Sequence, residues 1–241
     1  MKIQKRWFAD FKPQEIEEIR LKQETVVVVD LWAATTNIVL MLRKKPERLI
    51  VVNDEKYLRA KEVYQDAVLV GQSTEIPQDA FASSTNQSFD VDQVDVAGKI
   101  VFYLSFNGTR VLEAFSTNQK GLLFVGALSN YESLVHHLRR SDVENVHIVA
   151  SGNLTGEMGG VVFIEDLMGG EVIEKKLKGG VFDFEVFSGQ IKRAMLSYHP
   201  EDLQEAEEKI WPYIFGPQVK ILPTAFVNEE GFVEVVDYGP S

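Results

Sequence analysis

The 241-residue chain contains no cysteine. That removes a disulfide framework, a thiol-bound metal and a cysteine nucleophile, so thiol-dependent phosphoryl transfer is closed to it. Apolar runs such as Val26 to Val29 are far too short to span a bilayer. No basic stretch followed by an apolar one opens the sequence, so no signal peptide and no membrane partner are expected, and the expected location is cytoplasmic. Cations are in deficit: 25 Lys and Arg against 36 Asp and Glu give a formal net charge of -11. A general nucleic-acid partner is therefore not expected, because affinity for a phosphate backbone comes from clustered Lys and Arg. An anionic substrate would need a metal ion or a local cationic pocket to overcome the field. Walker A, GxSxG and GxGxxG patterns are missing, as are internal repeats and low-complexity tracts. The histidines His136, His137, His147 and His199 show no metal-ligand spacing. The N-x-S/T triplets at Asn86, Asn107 and Asn153 read as chance matches.

What is present is an alternation of short apolar runs with amphipathic stretches. Thr25 to Asp30, Leu49 to Asn53, Ala67 to Gly71, Lys99 to Ser105, Gly121 to Gly126 and Asn145 to Ser151 read as buried strands. Helical spacing follows at Thr35 to Lys45, Asp54 to Gln65, Thr109 to Phe115 and Ser129 to Arg140. Such units favour an α/β fold with a mostly parallel or mixed central sheet and right-handed crossovers. Residues 72 to 98 break the pattern and read as an active-site loop or small insertion. A helix is expected from Val161 to about Lys178, interrupted at Gly169 and Gly170, and another from Pro200 through Ile210. Val219 to Leu222 reads as a strand closed by Pro223, and Ala225 to Val227 with Phe232 to Val236 as a hairpin. One domain over 1-241, with a subdivision near 150-180 as the other option, suits this length.

Ligands of open parallel sheets bind beyond the carboxyl ends of strands. Those ends carry Asp30, Asn53, Gly71-Gln72, Asn107-Gly108-Thr109, Gly126 and Ser151-Gly152. Asp30 is placed either to ligate Mg²⁺ or to cap the following helix. A haloacid-dehalogenase-type mechanism would want a second Asp two residues on, where Trp32 stands. Asn107-Gly108-Thr109 opens a helix and suits either an anion site, with Arg110 adding a cation, or an ordinary Asn-Gly turn. Glu165-Asp166 lies among apolar neighbours; at most one of two adjacent helical residues is expected to face inward, the other sitting at the edge of that face.

Taken together, VVVVDLWAATTNIV (26 to 39), LVG (69 to 71), FNGTRVLEA (106 to 114), VGALSN (125 to 130), IVASG (148 to 152) and FIEDLMGGEVIEKK (163 to 176) resemble the 2-phosphosulfolactate phosphatases in collinear order. The resemblance implies a layered α/β/α architecture and a Mg²⁺-dependent hydrolase that converts 2-phosphosulfolactate to sulfolactate and phosphate, in sulfolactate or coenzyme M biosynthesis. It implies Asp30, Glu165 and Asp166 as catalytic groups, with Asp30 and Asp166 as metal ligands. Thr35, Thr36, Asn107, Gly108, Thr109 and Asn130 then contact a small phosphorylated substrate, joined by Arg110. The chain departs from the family pattern where Ala33 replaces Arg, Gln72 replaces Glu, Ala150 replaces Cys and Phe106 replaces Thr, and a Gly-Asn-Ser-Pro loop survives only loosely around Ser84 to Ser88. Arg110 and Arg43 are the candidates to restore the lost cation. The alternative is a homologue that binds an anionic ligand or a protein partner without turnover. The chain beyond about residue 180 lies outside the match and completes the sheet or builds an interface, that of a homo-oligomer included.

Overall fold

The computed structural model describes residues 1–73, 75–82, 88–152, 163–181, 183–196 and 207–239. A nine-stranded sheet runs through the molecule. Its strands are β1 (Lys2–Trp7), β2 (Thr25–Val29), β3 (Arg48–Val51), β4 (Val68–Gly71), β5 (Ile100–Leu104), β6 (Leu123–Gly126), β7 (Asn145–Ala150), β8 (Pro223–Val227) and β9 (Val233–Asp237). The helices are α1 (Pro13–Leu21), α2 (Ala34–Arg43), α3 (Asp54–Val63), α4 (Ser88–Gln93), α5 (Gly108–Phe115), α6 (Tyr131–Arg140), α7 (Ile164–Leu177), α8 (Phe184–Leu196) and the short α9 (Trp211–Ile214).

The strand order is β1-β7-β2-β6-β8-β9-β3-β5-β4. Within β1-β7-β2-β6 every pairing is parallel, as it is within β3-β5-β4. The β8–β9 hairpin joins the two groups through antiparallel pairings on both sides. Three antiparallel steps lie between β6 and β3, so the two parallel groups run in opposite senses. Arg48 of β3 fastens the joint, its guanidinium donating to Glu230 and Glu234 of the hairpin. The sheet is thus mixed, and the fold is layered α/β/α. One face carries Ile19 of α1, Ile38 and Met41 of α2, Val91 of α4 and Leu112 of α5 in a single cluster with Val28, Val101 and Val235. On the other face, α6, α7, α8 and α9 cover β2, β6 and β7, while Tyr57 and Ala60 of α3 cover Ile50, Leu69 and Phe102.

The connections have an order of their own. The stretches β2-α2-β3-α3-β4 and β5-α5-β6-α6-β7 are alike in succession, yet β2 lies between β6 and β7, and β5 lies between β3 and β4. Each stretch has given its first strand to the centre of the other's pair. Matching hydrogen bonds follow. The Ser151 N–H donates to the Val29 carbonyl at 2.9 Å and the Gln72 N–H to the Leu104 carbonyl at 3.0 Å. Both α2 and α5 therefore cross between oppositely directed groups, and their N-termini come together.

Several expectations change. Val219 to Leu222 is not a strand: the Val219 N–H is committed to the Ser129 carbonyl beside α6, and Pro223 opens β8, where a missing N–H costs the ladder least. Helix α7 runs unbroken through Gly169 and Gly170. A Cβ on Gly169 would stand 2.8 Å from Leu31 Cδ1 and one on Gly170 2.9 Å from Ile148 Cγ2, so the glycines let α7 lie close on the sheet. The stretch 72 to 98 contains α4. Asn86, Asn153, His199, the Ser84 to Gln87 part of the loose loop match and most of the helix expected from Pro200 lie outside the described residues.

Candidate active site

Two strand-end loops and the first turn of a third helix meet here. The first follows β2 and holds Asp30, buried at 5% exposure. Thr35 fixes it: the Asp30 N–H donates to Thr35 Oγ1 at 3.1 Å and the Thr35 hydroxyl to the Asp30 carbonyl at 2.7 Å. The second loop follows β5 and repeats the device, with the Thr109 hydroxyl donating to the Ser105 carbonyl at 2.7 Å and the Ser105 N–H to Thr109 Oγ1 at 3.3 Å. The third element is the start of α7, whose first turn carries Glu165 and Asp166.

Asp30 sits where α2 and α5 begin. Its Oδ1 accepts from the Ala34 N–H at 3.1 Å, and the Gly108 N–H and Ser151 hydroxyl also favour its charged form. The helix-capping and site readings of Asp30 therefore coexist, since a carboxylate at two helix N-termini satisfies orphan amides and marks a position favourable to negative charge. Gly108 is required by proximity: a Cβ there would stand 2.5 Å from Ala34 Cβ and 2.8 Å from Asp30 Oδ2. Gly108→Ala is expected to push the two loops apart and to lower catalytic turnover about 100-fold, with thermal unfolding shifted down by a few degrees. Turnover within a factor of about three of wild type would show that the junction tolerates the methyl group.

Asp166 Oδ1 accepts from the Leu31 N–H at 2.8 Å and Oδ2 from the Gly152 N–H at 3.0 Å, tying the loop after β2 to the end of β7. Glu165 and Asp166 are both buried, at 1% and 2% exposure. The expectation that one would sit at the edge fails because α7 begins at Ile164 and the pair occupies its first turn, where the end of the helix is covered as well as its side.

Burial raises the proton affinity of all three carboxylates, and for Glu165 and Asp166 the charge of Asp30 adds to it. Desolvation is the main cause for Asp30 and for Asp166, which is pushed well above the usual range with the charges of Asp30 and Glu165 contributing. Glu165 is pushed up to about 8, by burial first and then by Asp30. From its ordinary value of 4.5 to about 8, the folded chain holds a proton the unfolded chain has released. Stability of the metal-free protein is therefore expected to fall as pH rises through this window, by up to about 1.4 kcal/mol per pH unit from this one group, and to level off above it. Glu165→Gln should flatten the slope. Urea unfolding at about pH 5, 6.5 and 8 measures it, and a wild-type stability that rises over this range contradicts the assignment.

The donor set fits a hard divalent cation. It consists of oxygens, it is buried, and Glu165 Oε2 has no hydrogen-bond partner among the described residues. Among the described residues no group of three His, Cys, Asp or Glu is arranged to hold an ion in common. Two carboxylates at a time is what Mg²⁺ commonly takes, the remainder being water and substrate oxygens.

The other expected site residues are sorted by their bonds. Thr36 donates to the Leu31 carbonyl at 2.9 Å, and Asn130 accepts from the Ala127 N–H at 2.8 Å while donating to the Val125 carbonyl at 3.0 Å. With Thr35 and Thr109, they spend their polar groups on backbone. Asn107 is half-buried at the mouth of α5, and Arg110 is exposed in its first turn. Arg43 closes the ten-residue α2, about 15 Å from the Asp30 end, and does not replace the missing cation. Of the strand ends, those of β2, β5 and β7 meet here; Asn53 caps α3 through the Lys56 N–H at 2.9 Å. Ala33 and Ala150 are buried in the site walls and Gln72 is half-buried at the end of β4. The Trp32–Ala33 peptide is cis. Sequence reasoning missed the Asn37–Tyr103 pair, bonded at 3.1 Å under Asp30, because both read as core positions of α2 and β5.

Buried carboxylates thus gather at helix N-termini beyond the strand ends of an α/β/α sheet, where such folds place their ligands. The model of the 2-phosphosulpholactate phosphatase family matches residues 10–211, and the chain belongs to that family. Over 145 residues it is 26% identical to a Clostridium acetobutylicum protein named "Probable 2-phosphosulfolactate phosphatase", a match covering 59% of this chain and 60% of that relative's length. Among the described residues no helix is long and apolar enough to cross a membrane.

Proposed function

We propose that the chain is a Mg²⁺-dependent phosphomonoesterase acting on 2-phosphosulfolactate or a related small phosphorylated hydroxy acid. The observation that carries this reading is the gathering of Asp30, Glu165 and Asp166, all buried, where α2, α5 and α7 begin. Family membership supplies the reaction class. Mg²⁺, held by site carboxylates, would neutralise phosphoryl oxygens and orient the attacking water.

The chain's own groups do the rest. The head of α5 contributes its positive end rather than a free amide, since the Gly108 N–H serves Asp30 and the Thr109 N–H donates to Ser105 Oγ at 3.1 Å, with Asn107 at the approach and Arg110 at its rim. Water adds to phosphorus, the ester P–O bond breaks, the departing alkoxide takes a proton and becomes the free hydroxy acid, and a site carboxylate receives the proton the water gives up. Thr35, Thr36, Thr109 and Asn130 act by holding the loops in register. A cytoplasmic setting belongs to the same reading.

Phosphate release from racemic 2-phosphosulfolactate, with and without Mg²⁺, tests it. Release that requires the metal is the expected result. A folded sample that releases nothing from this compound or from a panel of phosphorylated hydroxy acids overturns the reading and leaves a binding protein without turnover.

A further inference from the structure

Each of the three segments that build the site sets a partly exposed apolar side chain beside its polar group. Trp32 closely follows Asp30 and Phe106 closely precedes Gly108, so the two residues flank the contact at which a Gly108 Cβ would come within 2.8 Å of Asp30 Oδ2. Both are half-buried. At the head of α7, Phe163 is half-buried and Ile164 is 42% exposed, directly before Glu165 and Asp166. The Leu31 N–H, bonded to Asp166 Oδ1 at 2.8 Å, brings Trp32 to this same turn. Large apolar side chains set around a few polar groups are the make-up of a ligand pocket, in which apolar walls hold the body of the ligand and the polar groups fix its orientation.

Cations are scarce at the same place. The segments between strand end and helix, 30–33, 105–107 and 151–163, contain no Lys or Arg, and the first turns of α2, α5 and α7 add Arg110 alone. In a chain of net charge -11, a divalent ion and one arginine can meet a phosphate and one carboxylate. A further strong acid on the substrate would give up its water there without gaining an ion pair. We infer that the substrate is a 2-phosphorylated hydroxy acid whose third carbon carries a hydrocarbon or aromatic group, lodged against Trp32, Phe106 and Ile164, in place of a second strong acid. This rests on the phosphatase reading above and narrows its substrate class.

The test compares kcat/KM for phosphate release from racemic 2-phospho-3-phenyllactate and racemic 2-phosphosulfolactate, each with Mg²⁺ and the full chain. The phenyl compound is expected to be preferred by about tenfold or more. Trp32→Ala should lower that preference about fivefold, as loss of an aromatic contact does. Ile164→Ser, at an exposed position, should lower it in the same direction and serves where Trp32→Ala fails to fold. Equal values for the two compounds in wild type, or a preference for the sulfonate, overturn the substrate assignment while the phosphatase reading stands. A wild-type preference that neither folded variant changes overturns the placement of the apolar group. A folded wild type that hydrolyses neither compound, nor any of the panel above, sinks the phosphatase reading and this assignment with it.

Discussion

Asp30→Asn is expected to lower phosphate release by about 10³-fold or more while leaving the protein at least as stable as wild type. The two effects have opposite signs for one reason. The Asp30 carboxylate is buried and shares its surroundings with Glu165 and Asp166, so its charge is held against desolvation and repulsion. Removing that charge relieves both, and the amide oxygen of Asn can still accept from Ala34. For catalysis the same change removes a metal-capable anion from the junction of α2 and α5, and about 4 kcal/mol of transition-state stabilisation goes with it. Steady-state phosphate release and thermal unfolding on the same samples separate the outcomes. Activity within about tenfold of wild type would remove Asp30 from the catalytic machinery, and a strongly destabilised variant would recast it as a structural cap.

Gly71→Ala is expected to cost about 4 kcal/mol or more, most of the stability of a chain at the low end of the ordinary range. Gly71 ends β4 with φ +126°, and a Cβ there would stand 1.8 Å from the Leu104 carbonyl oxygen and 2.8 Å from its carbon. Neither strand can give way, because Gly71 and Leu104 are paired in the ladder and the same carbonyl accepts the Gln72 N–H at 3.0 Å. Gly98→Ala is the control: φ is +64° but nothing lies within 4 Å, so its cost should be about 1 kcal/mol, that of the left-handed conformation alone. Urea unfolding of both variants measures the difference. Equal, small losses would mean that β4 is free to move away from β5.

The apolar runs that form β2 through β7 were legible because each is bounded by polar or glycine residues, and the hairpin because Asn228 to Gly231 separates two β-branched segments. β1 was not, since Lys2 to Trp7 holds only Ile3 and Trp7 as apolar residues around a polar Gln4-Lys5-Arg6 run, as suits a half-buried edge strand. The opposed directions of the two sheet halves also lay out of reach: nothing local distinguishes a helix that returns beside its own strand from one that crosses to a group running the other way. In the site, Asp30, Gly108, Glu165 and Asp166 could be found from strand ends and from acids among apolar neighbours. What could not be read was which polar residues spend themselves on the backbone. Thr35, Thr109 and Asn130 have the composition of an anion site, and only the bonds they make show them holding loops.

The exchanged central strands bear on how the chain can be divided. No repeat is visible in the residues, yet β2 completes the sheet of the later stretch and β5 that of the earlier one. A cut between β4 and β5 would leave two pieces, each with a vacancy at the middle of its own sheet and each carrying the strand that fills the other's. Asp30 goes with one piece and Gly108 with the other. The candidate site is therefore a joint possession, and neither piece would hold it whole.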